Sequence, residues 1–334
     1  MGPVTGADNL AIVVAGPTAS GKSGLALAIA QAFDGVVVNA DSMQVYDALP
    51  ILTARPGPVD LARVPHRLYG VLDPARPCSA AVWRDLARAE VEAAWAAGRL
   101  PIVVGGTGMY LAALTEGLSP IPDVPAAVRA ESRALLDTLG NAAFHARLAA
   151  VDPVMAARLA PGDSQRMVRA WEVWAATGRS LADWQAIPRE GALPARWFTL
   201  ALLPERERLH AACAARFDAM MAAGAVAEAA AFAARGLDPA LPVSKVLGLR
   251  ELAAHAAGRI GRDAAVAAAL AATRAYAKRQ VTWVRHQVMA SEVVSAQLSE
   301  SLLSSIFAKI RQFPLTPAGH EDRLCGSRPR RDDE

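Results

Sequence analysis

Residues 16–23 read Gly16-Pro17-Thr18-Ala19-Ser20-Gly21-Lys22-Ser23, with the apolar run Leu10 to Ala15 before them and the helix-forming stretch Leu25 to Ala32 after. A G-x-x-x-x-G-K-S loop between a strand and a helix lets successive backbone N–H groups curl around phosphate oxygens. Lys22 adds a point charge, and Ser23 opens the helix while offering its hydroxyl to Mg²⁺. A glycine-rich turn with a chance lysine would need neither flank. The chain is therefore expected to grip a di- or triphosphate, as ATP-binding and other nucleotide-binding proteins do. Gly16, Pro17, Thr18, Ala19, Ser20, Gly21, Lys22 and Ser23 form the diphosphate cradle, with Ser23 as the Mg²⁺ contact.

Two further apolar runs end in polar or glycine-rich segments. Val36-Val37-Val38 leads into Asn39-Ala40-Asp41-Ser42-Met43-Gln44-Val45-Tyr46, and Pro101-Ile102-Val103-Val104 into Gly105-Gly106-Thr107-Gly108-Met109-Tyr110. In an open parallel sheet the carboxyl ends of the strands face the ligand crevice, so Asp41 and Ser42 are expected within reach of whatever the loop holds. Asp41 suits a base or a metal ligand, and equally a helix cap. Gly105, Gly106 and Gly108 bind a ligand or only permit close backbone approach, and Thr107 caps a helix or contacts a ligand.

Strands at Leu10 to Ala15, Val36 to Val38, Leu68 to Val71, Ile102 to Val104 and Trp197 to Leu202 alternate with helical stretches. This predicts the α/β class: a three-layer P-loop core with a mostly parallel sheet, plus an all-helical insertion domain. Prolines at 120, 122 and 125 and again at 188 and 194 punctuate the insertion. The core is expected over 8–118 and 196–312, the insertion over 119–195, and a disordered tail over 313–334. With 334 residues and 53% hydrophobic content the chain can bury a sizeable core. Cys78, Cys213 and Cys325 are too scattered for a disulfide framework or a zinc site, which fits a reducing compartment. Met1 to Asn9 does not read as a signal peptide, and no apolar run approaches the roughly 18 residues of a membrane span, so a cytoplasmic chain without a membrane partner is expected.

The ordered set of motifs resembles a known family, the tRNA dimethylallyltransferases, also called tRNA isopentenyltransferases. The resemblance rests on the phosphate loop and on Asp41-Ser42-Met43-Gln44-Val45-Tyr46, Thr53-Ala54-Arg55-Pro56, Pro65-His66-Arg67-Leu68 and Gly105-Gly106-Thr107-Gly108-Met109-Tyr110. It continues in Asp163-Ser164-Gln165-Arg166, Gly248-Leu249-Arg250-Glu251 and Lys278-Arg279-Gln280-Val281-Thr282-Trp283, covering about residues 10–290. It implies transfer of a dimethylallyl group from dimethylallyl diphosphate to N6 of the adenosine just 3′ of the tRNA anticodon, adenosine 37. Asp41 matches the family's general base, Thr107 a substrate contact, and Arg216 a residue that neutralises the diphosphate; these three are the catalytic candidates. Mg²⁺ is the implied cofactor. The implied partners are the tRNA anticodon stem-loop and the prenyl donor, and a monomer is expected.

An adenine inside a stacked anticodon loop must leave the stack to reach a deep pocket, which costs a few kcal/mol. The net charge of +3 is small for such work, but Arg274, Lys278, Arg279 and Arg285 lie between Thr273 and His286 with no acid among them. At 100° per residue Arg274, Lys278 and Arg285 fall within about 40° on one helix face, with Tyr276, Trp283 and Val284 broadly opposite. RNA phosphate or plain solvent is the partner of that face. On a second helix from Asp163, Met167, Trp171 and Trp174 cluster, leaving Gln165, Arg166, Arg169 and Glu172 outward. The resemblance makes Asp41, Ser42, Met43, Gln44, Gln165, Arg166, Arg169, Lys245 and Arg250 tRNA contacts alongside Arg274, Lys278 and Arg285.

The chain departs from the family pattern at Leu52, where glycine is common, at Ala212, where arginine is frequent, and at Val246-Leu247 in place of a Cys-Val pair. These departures bear on the finer tRNA contacts and on the path after Tyr46. Three rivals stay open: an ATP-dependent small-molecule phosphotransferase, a prenyltransferase for free adenine nucleotides, and a non-enzymatic RNA binder that senses nucleotide.

Overall fold

The computed structural model describes residues 9–295 and 299–315. Two compact units emerge, one built from the chain up to Thr115 and from Leu193 onward, the other from Glu116–Ala192.

The first unit opens with β1 (Leu10–Ala15), α1 (Lys22–Ala32), β2 (Gly35–Asn39), α2 (Pro58–Arg63), β3 (His66–Arg67), α3 (Ala80–Ala96), β4 (Leu100–Gly105) and α4 (Gly108–Thr115). The second unit holds α5 (Ala126–Val151), α6 (Pro153–Arg158), α7 (Ser164–Thr177) and α8 (Leu181–Ala186). The chain then returns to the first unit as β5 (Arg196–Leu202), α9 (Arg206–Ala222), α10 (Ala225–Ala233), α11 (Leu249–Ala256), α12 (Arg262–Gln287), β6 (Glu292–Val294) and α13 (Glu300–Gln312).

The six strands form one parallel sheet in the order β3-β2-β4-β1-β5-β6. The central strands read as unbroken apolar runs because both faces are covered. Alternate residues serve opposite layers: Val13, Val38 and Val103 join the cluster with α3, α4 and α9 to α12, whereas Ile12, Val37 and Ile102 join the one with α1 and α13. The sheet is thus the middle of three layers. Because β1 lies between β4 and β5, the chain reverses its winding direction there, which opens a crevice at the carboxyl ends of the strands.

The strand expected at Leu68 to Val71 lies earlier. Pairing with β2 stops at Arg67, because Leu68 (φ 62°) and Gly70 (φ 64°) are left-handed and turn the backbone out of the ladder. The edge strand β6 was not anticipated; it is three residues long and pairs Glu292 with Leu200. Phe313, Pro314 and Leu315 form a short 3₁₀ turn in which Phe313 is buried beneath the Arg196 guanidinium. The rest of the tail expected from 313, with Cys325, lies outside the described residues.

The second unit packs Phe144, Leu148, Met155, Met167 and Val173 into a core of its own. Asp163 caps α7, accepting from the Arg166 N–H at 3.4 Å. The burial stripe is displaced from the expected one: Val168, Ala170 and Val173 are buried with Met167, while Trp171 and Trp174 are half-buried. Glu172, expected to face outward, is 7% exposed and pairs with Arg169 at 3.5 Å. A neighbouring cation makes that burial tolerable.

Candidate active site

The loop after β1 has the curled backbone its composition demands. Ala19 (φ 62°) and Gly21 (φ 88°) are left-handed, and the Ser20 N–H closes onto the Pro17 carbonyl at 3.3 Å. A side chain at Gly16 would lie 2.7 Å from the Leu202 carbonyl, so glycine alone allows β1 and β5 to approach here. The N–H groups of Lys22 and Ser23, at the start of α1, have no acceptor among the described residues, as the geometry of a helix N-terminus requires. Those of Ala19 and Gly21 are also free. Lys22 Nζ donates to the Pro17 carbonyl at 2.6 Å. The Ser20 hydroxyl is buried without a partner among the described residues, which suits an anion rather than packing.

A cavity of about 340 Å³ lies over this loop. Thr18, Ala19, Ser20, Gly21, Lys22 and Ser23 line it together with Asp41, Gln44 and Arg216, so three distant segments meet in one space. Gly16 and Pro17 do not line it, and the Pro17 carbonyl is taken up by Ser20 and Lys22. Ser42, Met43 and Thr107 do not line the cavity. Thr107 Oγ1 accepts from the Ser42 N–H at 2.9 Å and lies 3.3 Å from the Ser42 hydroxyl, while Met43 packs on the large core.

Asp41 is both a cap and a lining group, because a carboxylate has two oxygens. Its Oδ1 accepts from the N–H groups of Met43 (2.8 Å) and Gln44 (3.4 Å), and Asn39 Oδ1 accepts from its own N–H at 2.9 Å. Oδ2 has no hydrogen-bond partner among the described residues. Gln44 is held in turn, donating to the carbonyls of Thr53 (2.8 Å) and Ala54 (3.1 Å). That strap is tied down by Glu228 of α10, which accepts from the N–H groups of Ile51 and Leu52, each at 2.8 Å.

Arg216 of α9 donates through Nη2 to the hydroxyl of Thr18. Burial draws the Lys22 ammonium down to about 8, Asp41 opposing and Arg216 reinforcing the shift. Burial likewise lowers Arg216, against the pull of Cys213 and Asp41. Two desolvated cations facing one space favour a ligand of high negative charge. The phenols of Tyr69 and Tyr276 are pushed up by burial and then by Asp41, Tyr276 to about 12, so both stay neutral donors.

Tyr69, Thr53 and Ala212 also line the cavity, though no motif assigned them a role. The departure at Ala212 therefore bears on the cavity as well. Gln280 was also missed: it is 5% exposed and bonds the phosphate loop at Thr18 and the turn after β4 at Gly106. A polar residue on the packed side of the α12 wheel was the available signal. Gly105, Gly106 and Gly108 make room for neighbours, since a side chain would collide with Ala40, Gln280 and Trp283 respectively. Gly105 also lines the cavity.

The other polar candidates lie on surfaces. Arg274, Lys278 and Arg285 are exposed on α12, while Thr273, Ala277, Gln280 and Val284 are buried. Lys245 and Arg250 are exposed, Arg250 beside Glu251 at 3.5 Å. In the second unit Gln165 and Arg166 are exposed and Arg169 is half-buried. No group of three His, Cys, Asp or Glu among the described residues could enclose a metal, and no described helix is long and apolar enough to cross a membrane.

A phosphate loop at the carboxyl edge of a parallel sheet, with a free carboxylate oxygen and a half-buried arginine on the same cavity, defines a P-loop α/β enzyme for a diphosphate-bearing substrate. The family profile described as IPP transferase matches residues 44–287, and the chain belongs to this family. It is 63% identical over 313 residues to the tRNA dimethylallyltransferase of Paramagnetospirillum magneticum, covering 94% of this chain and 99% of the relative. The enzyme of that name from Rhodospirillum centenum is 58% identical over 281 residues, 84% of this chain and 90% of the relative. Among solved structures, the tRNA isopentenylpyrophosphate transferase of Bacillus halodurans superposes with a TM-score of 0.65 at 28% identity, over 95% of this chain and 99% of that one. A eukaryotic dimethylallyltransferase, described as acting on tRNA, superposes with a TM-score of 0.77 at 25% identity, over 93% and 81%.

Proposed function

We propose that this chain transfers the dimethylallyl group of dimethylallyl diphosphate to N6 of adenosine 37 in tRNA, releasing diphosphate. The observation that carries the reading is one cavity lined by Lys22, Asp41 and Arg216, with the unpartnered Ser20 hydroxyl at its base. Family membership and relatives named for this reaction support it.

In this reading the free amides of Ala19, Gly21, Lys22 and Ser23 hold the diphosphate, and Lys22 and Arg216 face its oxygens. As the bond to the allylic carbon breaks, negative charge builds on those oxygens, so the cations bind the transition state more tightly than the ground state. Arg216 suits the task because its planar fork can donate two parallel bonds. Asp41 Oδ2 takes the proton of the adenine amine, whose lone pair is delocalised into the ring until that proton is held. Such a positioned base supplies about 10²- to 10⁴-fold. Thr107 orients this carboxylate through Ser42.

The residues fit Mg²⁺ bound through the donor: Ser23 offers a hydroxyl at the loop, and a small cation held largely by phosphate oxygens needs no protein cage. When bound, it supplies further neutralisation of the departing diphosphate. Extruding the adenine calls for contacts along the anticodon stem-loop. Arg274, Lys278 and Arg285 with Lys245 and Arg250 offer exposed cations on the first unit; on the helical unit Arg166 offers an exposed cation, Gln165 an exposed amide and Arg169 a half-buried guanidinium. Unmodified tRNA as acceptor places the reaction in the cytoplasm, with a monomer sufficient to hold both substrates.

Purified protein incubated with dimethylallyl diphosphate, Mg²⁺ and unmodified tRNA should add one five-carbon group to adenosine 37, read by mass spectrometry of nuclease digests. Modification of free AMP with tRNA left untouched, or ATP turnover without RNA, would overturn the reading.

A further inference from the structure

One buried amide joins the three segments that frame the phosphate loop. Gln280 of α12 accepts through Oε1 from the Thr18 N–H and donates through Nε2 to the Gly106 carbonyl, both at 2.8 Å. Its side chain fills the space a Cβ at Gly106 would need, and that Cβ would also lie 2.8 Å from the Gly16 carbonyl. The loop after β1, the turn after β4 and α12 thus meet at a single point.

Two consequences follow for an anion in the cavity. The Thr18 amide is turned out of the cradle, leaving those of Ala19, Gly21, Lys22 and Ser23 to face the ligand. Thr18 then presents its hydroxyl to Arg216, so the same backbone step that Gln280 pins also seats the guanidinium. An amide both accepts and donates at any ordinary pH, whereas a carboxylate only accepts and a histidine does both only as the neutral tautomer. A buried amide with one half unmet would cost more than it contributes.

We propose that Gln280 is a positioning residue for the leaving diphosphate, holding the loop in the register at which Lys22 and Arg216 face one anion. The proposal rests on the diphosphate reading above. Misplacing reacting groups by about 1 Å costs on the order of 10²-fold in rate, which sets the scale of effect.

Inorganic pyrophosphate with Mg²⁺ is the direct probe, titrated calorimetrically into the full-length protein, alongside steady-state kinetics with donor and tRNA varied separately. Gln280→Met keeps the shape and removes both bonds. It should weaken pyrophosphate about tenfold to a hundredfold and raise the donor KM while lowering kcat, with the tRNA KM unchanged. Gln280→Glu accepts but cannot donate while ionised. Its pyrophosphate affinity relative to wild type should be poor at about pH 8 and recover toward about pH 6, as a protonated carboxyl regains a donor. Wild-type pyrophosphate affinity and donor KM in Gln280→Met, with only the melting temperature lowered, would overturn the proposal. So would a Gln280→Glu affinity ratio that does not move with pH. If wild type binds pyrophosphate no better than Lys22→Met does, the diphosphate reading fails first, and this inference with it.

Discussion

The guanidinium of Arg216 bonds the hydroxyl of Thr18, 198 residues earlier in the chain. Strand order accounts for the meeting: β5 pairs beside β1, with Val14 opposite Leu200, so the helix that follows β5 passes the loop that follows β1. Arg216 and Lys22 then share a desolvated space with Asp41 as the nearby acid, and Arg216 adds to the cost of the Lys22 charge. In the function proposed above, the diphosphate relieves that cost.

The first prediction concerns pH. With its ammonium held near 8, Lys22 loses its charge as pH rises through that value in the free enzyme. kcat/KM for the donor should fall above about pH 8, by up to tenfold per unit, and Lys22→Arg should move the falling limb to higher pH. Stability carries the opposite sign. The unfolded chain keeps this lysine protonated up to its ordinary 10.5, so it binds more protons than the folded chain between about 8 and 10.5. The stability difference between wild type and Lys22→Met should therefore shift in favour of wild type across that window, as read by urea unfolding.

Asp41→Asn tests the base without dismantling the turn, since an amide oxygen can still accept from Met43. Turnover should drop about 10²- to 10⁴-fold while tRNA affinity stays within about twofold. Single-turnover rates and filter binding separate the two; undiminished turnover would move the base elsewhere.

Arg274→Ala should weaken tRNA binding and reduce the slope of log affinity against log salt by about one phosphate contact. Donor affinity should not change. An unchanged slope would mean that this α12 face meets only solvent.

Glu228→Ala removes the carboxylate that ties down Ile51 and Leu52 and leaves both N–H groups half-buried without an acceptor. We expect about 1–3 kcal/mol of lost stability by chemical denaturation. The donor KM should also rise, because Thr53 and Ala54, which wall the cavity and hold Gln44, belong to the same strap.

The local parts of this protein were determined by the chain itself. The phosphate loop depends on the glycines, lysine and serine of residues 16–23 and on the apolar runs beside them, and the α12 face that carries Arg274, Lys278 and Arg285 depends only on helical spacing. Other choices were left to the tertiary structure. The edge strand ends at Arg67 because left-handed Leu68 turns away, which a hydrophobic pattern does not encode. Thr107 spends its hydroxyl on Ser42 rather than in the cavity, and Glu172 is buried, because a partner was close enough to receive each. Gln280 meets Thr18 across 262 residues, and Arg216 reaches the same residue, because a parallel sheet gathers its strand ends on one edge. Such contacts follow from the order of the strands in space, and no segment of sequence carries that order alone.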